Sequence, residues 1–307
     1  MRIVFFGTPE FAVPSLRALL EEGFEVCAVV TQPDKPRSRS RYRLMAPPIK
    51  ELAIEYGLAV VQPENPSDAT FLQQLQEHRP DLGVVVAYGH ILRKALLELM
   101  PLGFLNVHAS LLPKLRGAAP IQHAIIQGLD ETGVSIMRID EGLDTGPVLM
   151  TSPTPIAADE TGGELRERLA ELGALAIIEA TSLLALGKLS FQPQNHEDAT
   201  HAPKIDSDSA RIDWTKDATM VARLVRALDP EPGSWSQVND RRVQFFGPAE
   251  VYGDGLPGLV LALEPTMTVA TGAGALQFLD VKPSGSRRMP ATDWIRGRAI
   301  NVGDSFT

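Results

Sequence analysis

From Arg2 to Val107 the chain alternates short apolar runs with amphipathic segments, and this alternation restricts the fold more than any other feature. Arg2 to Phe6 reads as a buried strand, Gly7-Thr-Pro9 as a turn, and Pro14 to Glu22 as a helix whose Leu16, Leu19 and Leu20 share one face. A strand from Val26 to Thr31 follows, then helix Ile49 to Tyr56, strand Ala59 to Gln62, helix Asp68 to His78, strand Leu82 to Val86, helix Ile91 to Met100 and strand Phe104 to Val107. Parallel strands need a crossover, and the crossover helix must cover a face of the sheet, so the pattern predicts a doubly wound, mostly parallel α/β sheet. Val134 to Ile139 and Val148 to Thr151 read as two further strands, and Glu164 to Leu186 as the long helix that closes the unit.

Between Phe191 and Lys204 the periodicity stops, and Pro193, Asn195, His196, Asp198, Thr200 and Pro203 give the composition of an exposed connection. The expected division is therefore a first domain over 1–190, a linker over 191–204 and a second domain over 205–307. The second domain starts with a helix from Ala218 to Leu228. Short β-rich runs then follow at Trp235 to Val238, Val243 to Val251, Leu259 to Leu263, Met267 to Ala270 and Ala275 to Val281, with Gly or Pro near most breaks. Five such strands suggest a small OB-like β-barrel.

Composition excludes several classes. With 307 residues, 44% apolar and 22% charged, the chain has enough material for one large or two modest cores. Its single cysteine, Cys27, lies in an apolar run, so a disulfide framework or a cysteine-based zinc site cannot be built within one chain. No apolar run approaches the roughly 20 residues that span a bilayer, and the first strand begins at Arg2 with no charged leader. The expectation is a soluble, cytoplasmic protein with no membrane partner, acting as a monomer. A net charge of -9 argues against nonspecific binding to polyanions, although a local basic patch can contradict a global figure.

Ligands of doubly wound sheets bind beyond the carboxyl ends of the strands, where Asn106 and His108 lie. Asn106, two residues before His108 on the same strand face, offers an amide donor to an oxygen that becomes negative when a carbonyl is attacked. His108 can exchange a proton near neutrality. Asp144, flanked by Gly142 and Gly146, supplies a carboxylate to orient the imidazole or relay a proton through water. Taken singly, each is as readily a structural histidine, a turn-capping asparagine or a turn aspartate; it is their combination at a strand end that points to chemistry. Ser110 lacks a G-x-S-x-G elbow and Cys27 is in a strand, so the substrate has to bring its own nucleophile. No H-x-H, H-E-x-x-H or cysteine pair supports a metal. The first βα turn, Gly7-Thr-Pro-Glu-Phe, lacks the dinucleotide fingerprint, and there is no P-loop.

The opening F-x-G-T-P-E-F-A-V-P-S-L resembles the methionyl-tRNA formyltransferase family. So do Thr31-Gln-Pro-Asp34, Val84 to Gly89, Asn106-Val-His-Ala-Ser-Leu-Leu-Pro113, Arg116 to Gln122, Glu131-Thr-Gly-Val134, Gly142-Leu-Asp-Thr-Gly146 and Ala202-Pro-Lys-Ile205. The likeness covers essentially the whole chain and implies a formyltransferase-like variant of the Rossmann fold. It also implies that the amino group of methionyl initiator tRNA attacks the formyl carbon of 10-formyltetrahydrofolate, without a metal. Asn106, His108 and Asp144 would be catalytic. Ser110, Leu111, Leu112 and Pro113 would hold the reduced folate, with the pteridine near Val86, Tyr88 and Asp140.

The Asn, His and Asp set is shared by enzymes with different formyl acceptors, so the acceptor has to be read elsewhere. Lys35, Arg37, Arg39, Arg41, Arg43 and Lys50 fall in one segment without an acidic residue, and Tyr42 lies among them. In the family this loop enters the acceptor stem. Where relatives carry glycines around the loop arginine this chain has Ser38 and Ser40 in a loop one residue longer, which leaves the wedge open between Arg39, the first candidate, and Arg41, the second. Past Ile205 there are 11 basic against 13 acidic residues. Arginines come in pairs there: 223 with 226, 241 with 242, 287 with 288 and 296 with 298. Arg223 and Arg226 share a helical face and are the best candidates for binding phosphate. A formyltransferase for a small amine, a formyl-folate hydrolase and a non-catalytic RNA-binding module are the competing readings.

Overall fold

A computed structural model describes the whole chain except Ser38, Arg39, Leu189 and Arg298, together with the side chains of 37 and 40–43. The chain divides into two compact units. The first comprises Met1–Pro120, Glu131–Pro155 and Arg166–Ala202; the second comprises Ile121–Asp130, Ile156–Leu165 and Pro203–Thr307.

In the first unit the strands are β1 (Arg2–Gly7), β2 (Glu25–Val30), β3 (Lys35–Arg37), β4 (Ser40–Met45), β5 (Val60–Val61), β6 (Leu82–Val86), β7 (Phe104–His108), β8 (Glu131–Arg138) and β9 (Val148–Pro155). Seven of them form one sheet in the order β5-β2-β1-β6-β7-β8-β9. The pairs from β5 to β7 are parallel, and β8 and β9 are antiparallel additions. Strand order reverses at β1, which lies between β2 and β6, so the open carboxyl ends of β1, β6 and β7 are adjacent.

Helices α1 (Val13–Glu21), α2 (Pro48–Glu55) and α3 (Ala69–Glu77) occupy the predicted crossovers. β1 is buried on both faces: Ile3 and Phe5 on one, Val4 and Phe6 on the other. The Phe6 ring meets Tyr88 and Phe104 edge-on, with centroids 5.5 and 5.6 Å away.

One expectation is corrected here. The helix expected from Ile91 to Met100 is a single turn, α4 (Lys94–Leu97). Leu92, Leu96 and Met100 are buried all the same, so the apolar spacing serves the core without a continuous helix, and Ile91 is left 78% exposed. The basic segment after Asp34 is a hairpin, with Lys35 opposite Met45 and Pro36 opposite Leu44. A short helix, α5 (Pro120–Ile126), carries no apolar period long enough to read. The long helix α6 (Gly162–Ala185) matches expectation, and Gly173 lets it approach Val107 and Val134.

The second unit carries α7 (Ala218–Ala227) and the strands β10 (Trp235–Val238), β11 (Arg241–Val251), β12 (Val260–Ala262), β13 (Thr268–Ala270), β14 (Ala275–Pro283) and β15 (Met289–Pro290), then α8 (Ala291–Arg296). Asp217 caps α7 by accepting from Met220 N at 2.7 Å. The β10–β11 hairpin turns on Asn239 and Asp240, both at positive φ (49° and 58°), the geometry a two-residue primed turn requires. The sheet runs β10-β11-β14-β13-β12, antiparallel throughout.

The chain's last residues join the two ends of that sheet, giving the OB-like barrel expected for this region. Val260 N donates to Asp304 O and Phe306 N to Gly258 O, while Gln237 and Thr307 exchange both backbone hydrogen bonds. Phe306 enters the core against Trp214 and Phe245 (centroids 5.8 and 5.1 Å). Burial of such a side chain contributes about 2–3 kcal/mol.

Candidate active site

β7 places Asn106 and His108 on the same face at the carboxyl edge of the sheet. Asn106 is half-buried between Val85 of β6 and Met137 of β8, and its side-chain amide has no hydrogen-bond partner among the described residues. That leaves a donor free for a ligand. His108 is buried opposite Ser135. Its Nε2 lies 3.1 Å from the Leu115 carbonyl oxygen, which can only accept, so this nitrogen carries hydrogen and donates. Nδ1 faces Asp144 Oδ2 at 3.7 Å, beyond a direct hydrogen bond but within ion-pair reach.

Asp144 sits at φ 54°, the left-handed region that costs a non-glycine residue about 1–2 kcal/mol. Its carboxylate is aimed by Gly117 N, which donates to Oδ2 at 2.8 Å. Gly117 itself is at φ 120°, and a side chain there would lie 2.7 Å from Ala202 O. Beyond Asp144, Gly146 passes so close to β8 that a Cβ would stand 1.9 Å from Arg138 O, so only glycine fits. Ala87 and Leu115, at φ 48° and 57°, are strained in the same way, and such residues cluster where a site over-determines its backbone.

The Ser110 to Pro113 loop is fastened by its own polar groups. Ser110 Oγ donates to Lys114 O at 2.6 Å, and Ser135 Oγ donates to Ser110 O at 2.7 Å while accepting from Leu112 N at 3.0 Å. Ser110 and Leu112 are buried, whereas Leu111 and Pro113 keep part of their surface open. Asp140 accepts from Gly142 N and Thr145 Oγ1, which shapes the loop leading to Asp144.

Val86 is buried at the end of β6. Tyr88 turns its ring inward. Its ring is 1% exposed within the core, its hydroxyl is buried without a partner among the described residues, and burial pushes the phenol pKa up to about 12. What it turns outward is main chain: Tyr88 O accepts from Thr8 Oγ1 and Gln32 Nε2.

The basic hairpin is anchored at Asp34. Lys50 Nζ lies 2.8 Å from both Asp34 oxygens, and Gln62 Nε2 donates to Oδ1 at 2.8 Å. The Gln62 hydrogen bond first, then that from Lys50, holds the Asp34 carboxyl below its ordinary range. Lys50 is thus neutralised, and Lys35 donates to Gln32 Oε1. Arg39 lies outside the described residues, as do the side chains of Arg37, Arg41 and Arg43.

In the second unit Arg223 lies against Gly128, and Arg226 donates to Ala158 O. Desolvation first, then the like charge of Arg223, depresses the Arg226 pKa. The pair is half-buried rather than presented as an open face. Arg288 is ion-paired with Asp229 and Asp280, and Arg296 with Asp293. Arg242 stacks on Trp235 at 4.0 Å, with Arg211 also over that ring at 5.6 Å. Arg298 lies outside the described residues.

Sequence reasoning missed Arg116, Gln194 and Ser135. Arg116 is 4% exposed, and the signal for it was a lone cation in the apolar stretch Leu115 to Ala119. Gln194 and Ser135 have no local signal.

An amide, an imidazole and a carboxylate lie at the carboxyl edge of a doubly wound sheet, and the comparisons give the class of the chain. Residues 1–181 match the family model described as formyl transferase, and 204–299 the model described as formyl transferase, C-terminal domain. The chain is 44% identical over 306 residues to the methionyl-tRNA formyltransferase of Thermodesulfovibrio yellowstonii, covering 99% of each. It is 47% identical over 303 residues to that of Myxococcus xanthus, covering 98% of this chain and 96% of the relative. The chain belongs to the methionyl-tRNA formyltransferase family. In fold it is similar to HypX from Aquifex aeolicus solved with tetrahydrofolic acid, at TM-score 0.69 and 22% identity over 98% of this chain and 48% of that one. Among the described residues no helix is long and apolar enough to cross a membrane.

Proposed function

We propose that Asn106, His108 and Asp144 carry the chemistry by which this enzyme transfers the formyl group of 10-formyltetrahydrofolate to methionyl initiator tRNA for translation initiation. The amine attacks the formyl carbon, a new C–N bond forms, and the carbonyl oxygen becomes an oxyanion. The open Asn106 amide donates to that oxygen, and His108, whose Nε2–H is held by Leu115 O, stabilises the same charge once Nδ1 takes up the amine's proton. The 3.7 Å gap between His108 Nδ1 and Asp144 Oδ2 is a seat for the proton that leaves the amine. Asp144, directly or through water, passes it to the departing folate nitrogen as the old C–N bond breaks. The observation that carries this reading is the convergence of an amide without a partner among the described residues, a buried imidazole and an oriented carboxylate at one strand end.

The partly open Leu111 and Pro113 give a flat ligand apolar surface, and the Ser110 to Pro113 loop needs no ligand to hold its shape. Val86, the Tyr88 main chain and the Asp140 loop complete the proposed folate site. In this reading residues 1–190 do the chemistry, 191–204 connect and 205–307 bind tRNA. Lys35, Arg37, Arg39, Arg41 and Arg43 take the acceptor stem. Arg223 and Arg226 take phosphates, Arg226 by giving up its bond to Ala158. The same reading has the enzyme act as a cytoplasmic monomer.

The test is transfer of labelled formyl to methionylated initiator tRNA, with methionylated elongator tRNA alongside. Rapid labelling of the initiator alone is expected; folate turnover without tRNA labelling would move the acceptor to water or a small amine. Replacing Arg39 and Arg41 together by alanine is expected to weaken tRNA use and flatten its salt dependence, by about one unit of slope for each phosphate no longer neutralised. An unaltered salt slope would remove that loop from recognition.

A further inference from the structure

The segment from Phe191 to Ala202, which the sequence presents as an exposed connection, is sewn to both catalytic loops. Gln192 exchanges backbone hydrogen bonds with Val148 (2.8 and 2.9 Å). Arg116 N donates to Thr200 O, Ala202 N to Arg116 O, and Leu115 N to Thr200 Oγ1. Ala202 is fully buried, and Gln194 is 9% exposed.

Gln194 lies at the centre of this stitching. Its Oε1 accepts from Arg116 Nε at 3.0 Å and Nη2 at 2.6 Å, and Arg116 Nη1 meets His196 Nδ1 at 3.2 Å. A guanidinium has only donors, so the amide oxygen has to face it. That fixes where the amide nitrogen points: Nε2 donates to Asp144 O at 2.9 Å and to Gly146 O at 2.6 Å. The planar fork of a buried arginine thus orients one amide, and that amide clamps the main chain on both sides of the residue pair leading out of Asp144.

We propose that Gln194, oriented by Arg116, is a positioning residue that holds Asp144 in its left-handed conformation with the carboxylate toward His108. The proposal rests on the reading of Asp144 as the proton-handling group. The clamp holds backbone that is unfavourable by itself, since Asp144 has φ 54° and Gly146 is pressed against Arg138 O. Without the clamp the loop relaxes, and misplacement of a reacting group by about 1 Å costs on the order of 100-fold in rate.

The experiment compares Gln194→Ala and Gln194→Glu, each in the native background and with Asp144→Asn, measuring kcat, KM for both substrates and the thermal unfolding midpoint. Gln194→Glu keeps an acceptor for Arg116, so the fold is held, but it turns a carboxylate oxygen toward the two carbonyls. Roughly 10- to 100-fold loss of kcat is expected for either variant, with KM values within about twofold. The discriminating result is that the loss shrinks to less than about twofold once Asp144 is already Asn, because a residue acting through Asp144 has nothing left to position. Should alanine prevent folding, the glutamate variant carries the comparison. Unchanged kcat in Gln194→Glu would overturn the proposal, as would an equal fractional loss in both backgrounds. A fully active Asp144→Asn would overturn the reading of Asp144 and this role together, whereas an impaired Asp144→Asn beside an active Gln194→Glu would overturn this role alone.

Discussion

His108→Ala is expected to lower kcat by about 10²- to 10⁴-fold while leaving the affinity for tRNA nearly unchanged. The ring sits between two fixed protein groups, the Leu115 carbonyl at 3.1 Å and the Asp144 carboxylate at 3.7 Å. In the proposed mechanism its removal takes away both the group beside the developing oxyanion and the partner with which Asp144 shares the moving proton. It also leaves the Leu115 carbonyl without its donor, at a cost on the order of 1–3 kcal/mol. Turnover therefore has to be measured together with the unfolding midpoint, at a temperature where the variant is fully folded. Folate binding followed by fluorescence should survive. A folded variant with native turnover would take His108 out of the mechanism.

Asp144→Asn is expected to cost roughly 10²- to 10³-fold in kcat with little change in stability. The amide oxygen can still accept from Gly117 N, and Gln194 touches only the main chain of this residue, so the loop keeps its frame. What disappears is a carboxylate able to take a proton. The two substitutions together should cost far less than the product of the separate losses, because residues that share one proton act as a unit. A double variant showing the full product in single-turnover formyl transfer would mean that His108 and Asp144 work independently.

These expectations depend on features that were unequally visible in the sequence. The strands from Arg2 to Val107 were legible because a sheet buried on both faces demands continuous apolar runs. The Asn106 and His108 pair was legible because a period of two puts them on one face at a strand's end. The helix expected from Ile91 to Met100 misled because its apolar spacing is satisfied by a bent chain: Leu92, Leu96 and Met100 are buried with only one helical turn between them. Where the Tyr88 ring goes was not legible either. Its place in the motif marked the loop after β6, but the ring is 1% exposed and packs edge-on against Phe6.

Alternation of apolar and amphipathic segments, a local property, determined the doubly wound sheet and the strand end that carries Asn106 and His108. The short β-rich runs likewise determined an antiparallel second unit. Tertiary structure alone decided how the site is held. The hydrogen bonds of Gln194 to Asp144 O and Gly146 O span 50 and 48 residues, and those of Arg116 to Gln194 span 78. Closure of the second unit's sheet by Phe306 and Thr307 is of the same kind. Periodicity reports which face of an element meets the core. A side-chain amide bonded to a distant main chain has no period, and its partners exist only once the sheet has brought the loops together.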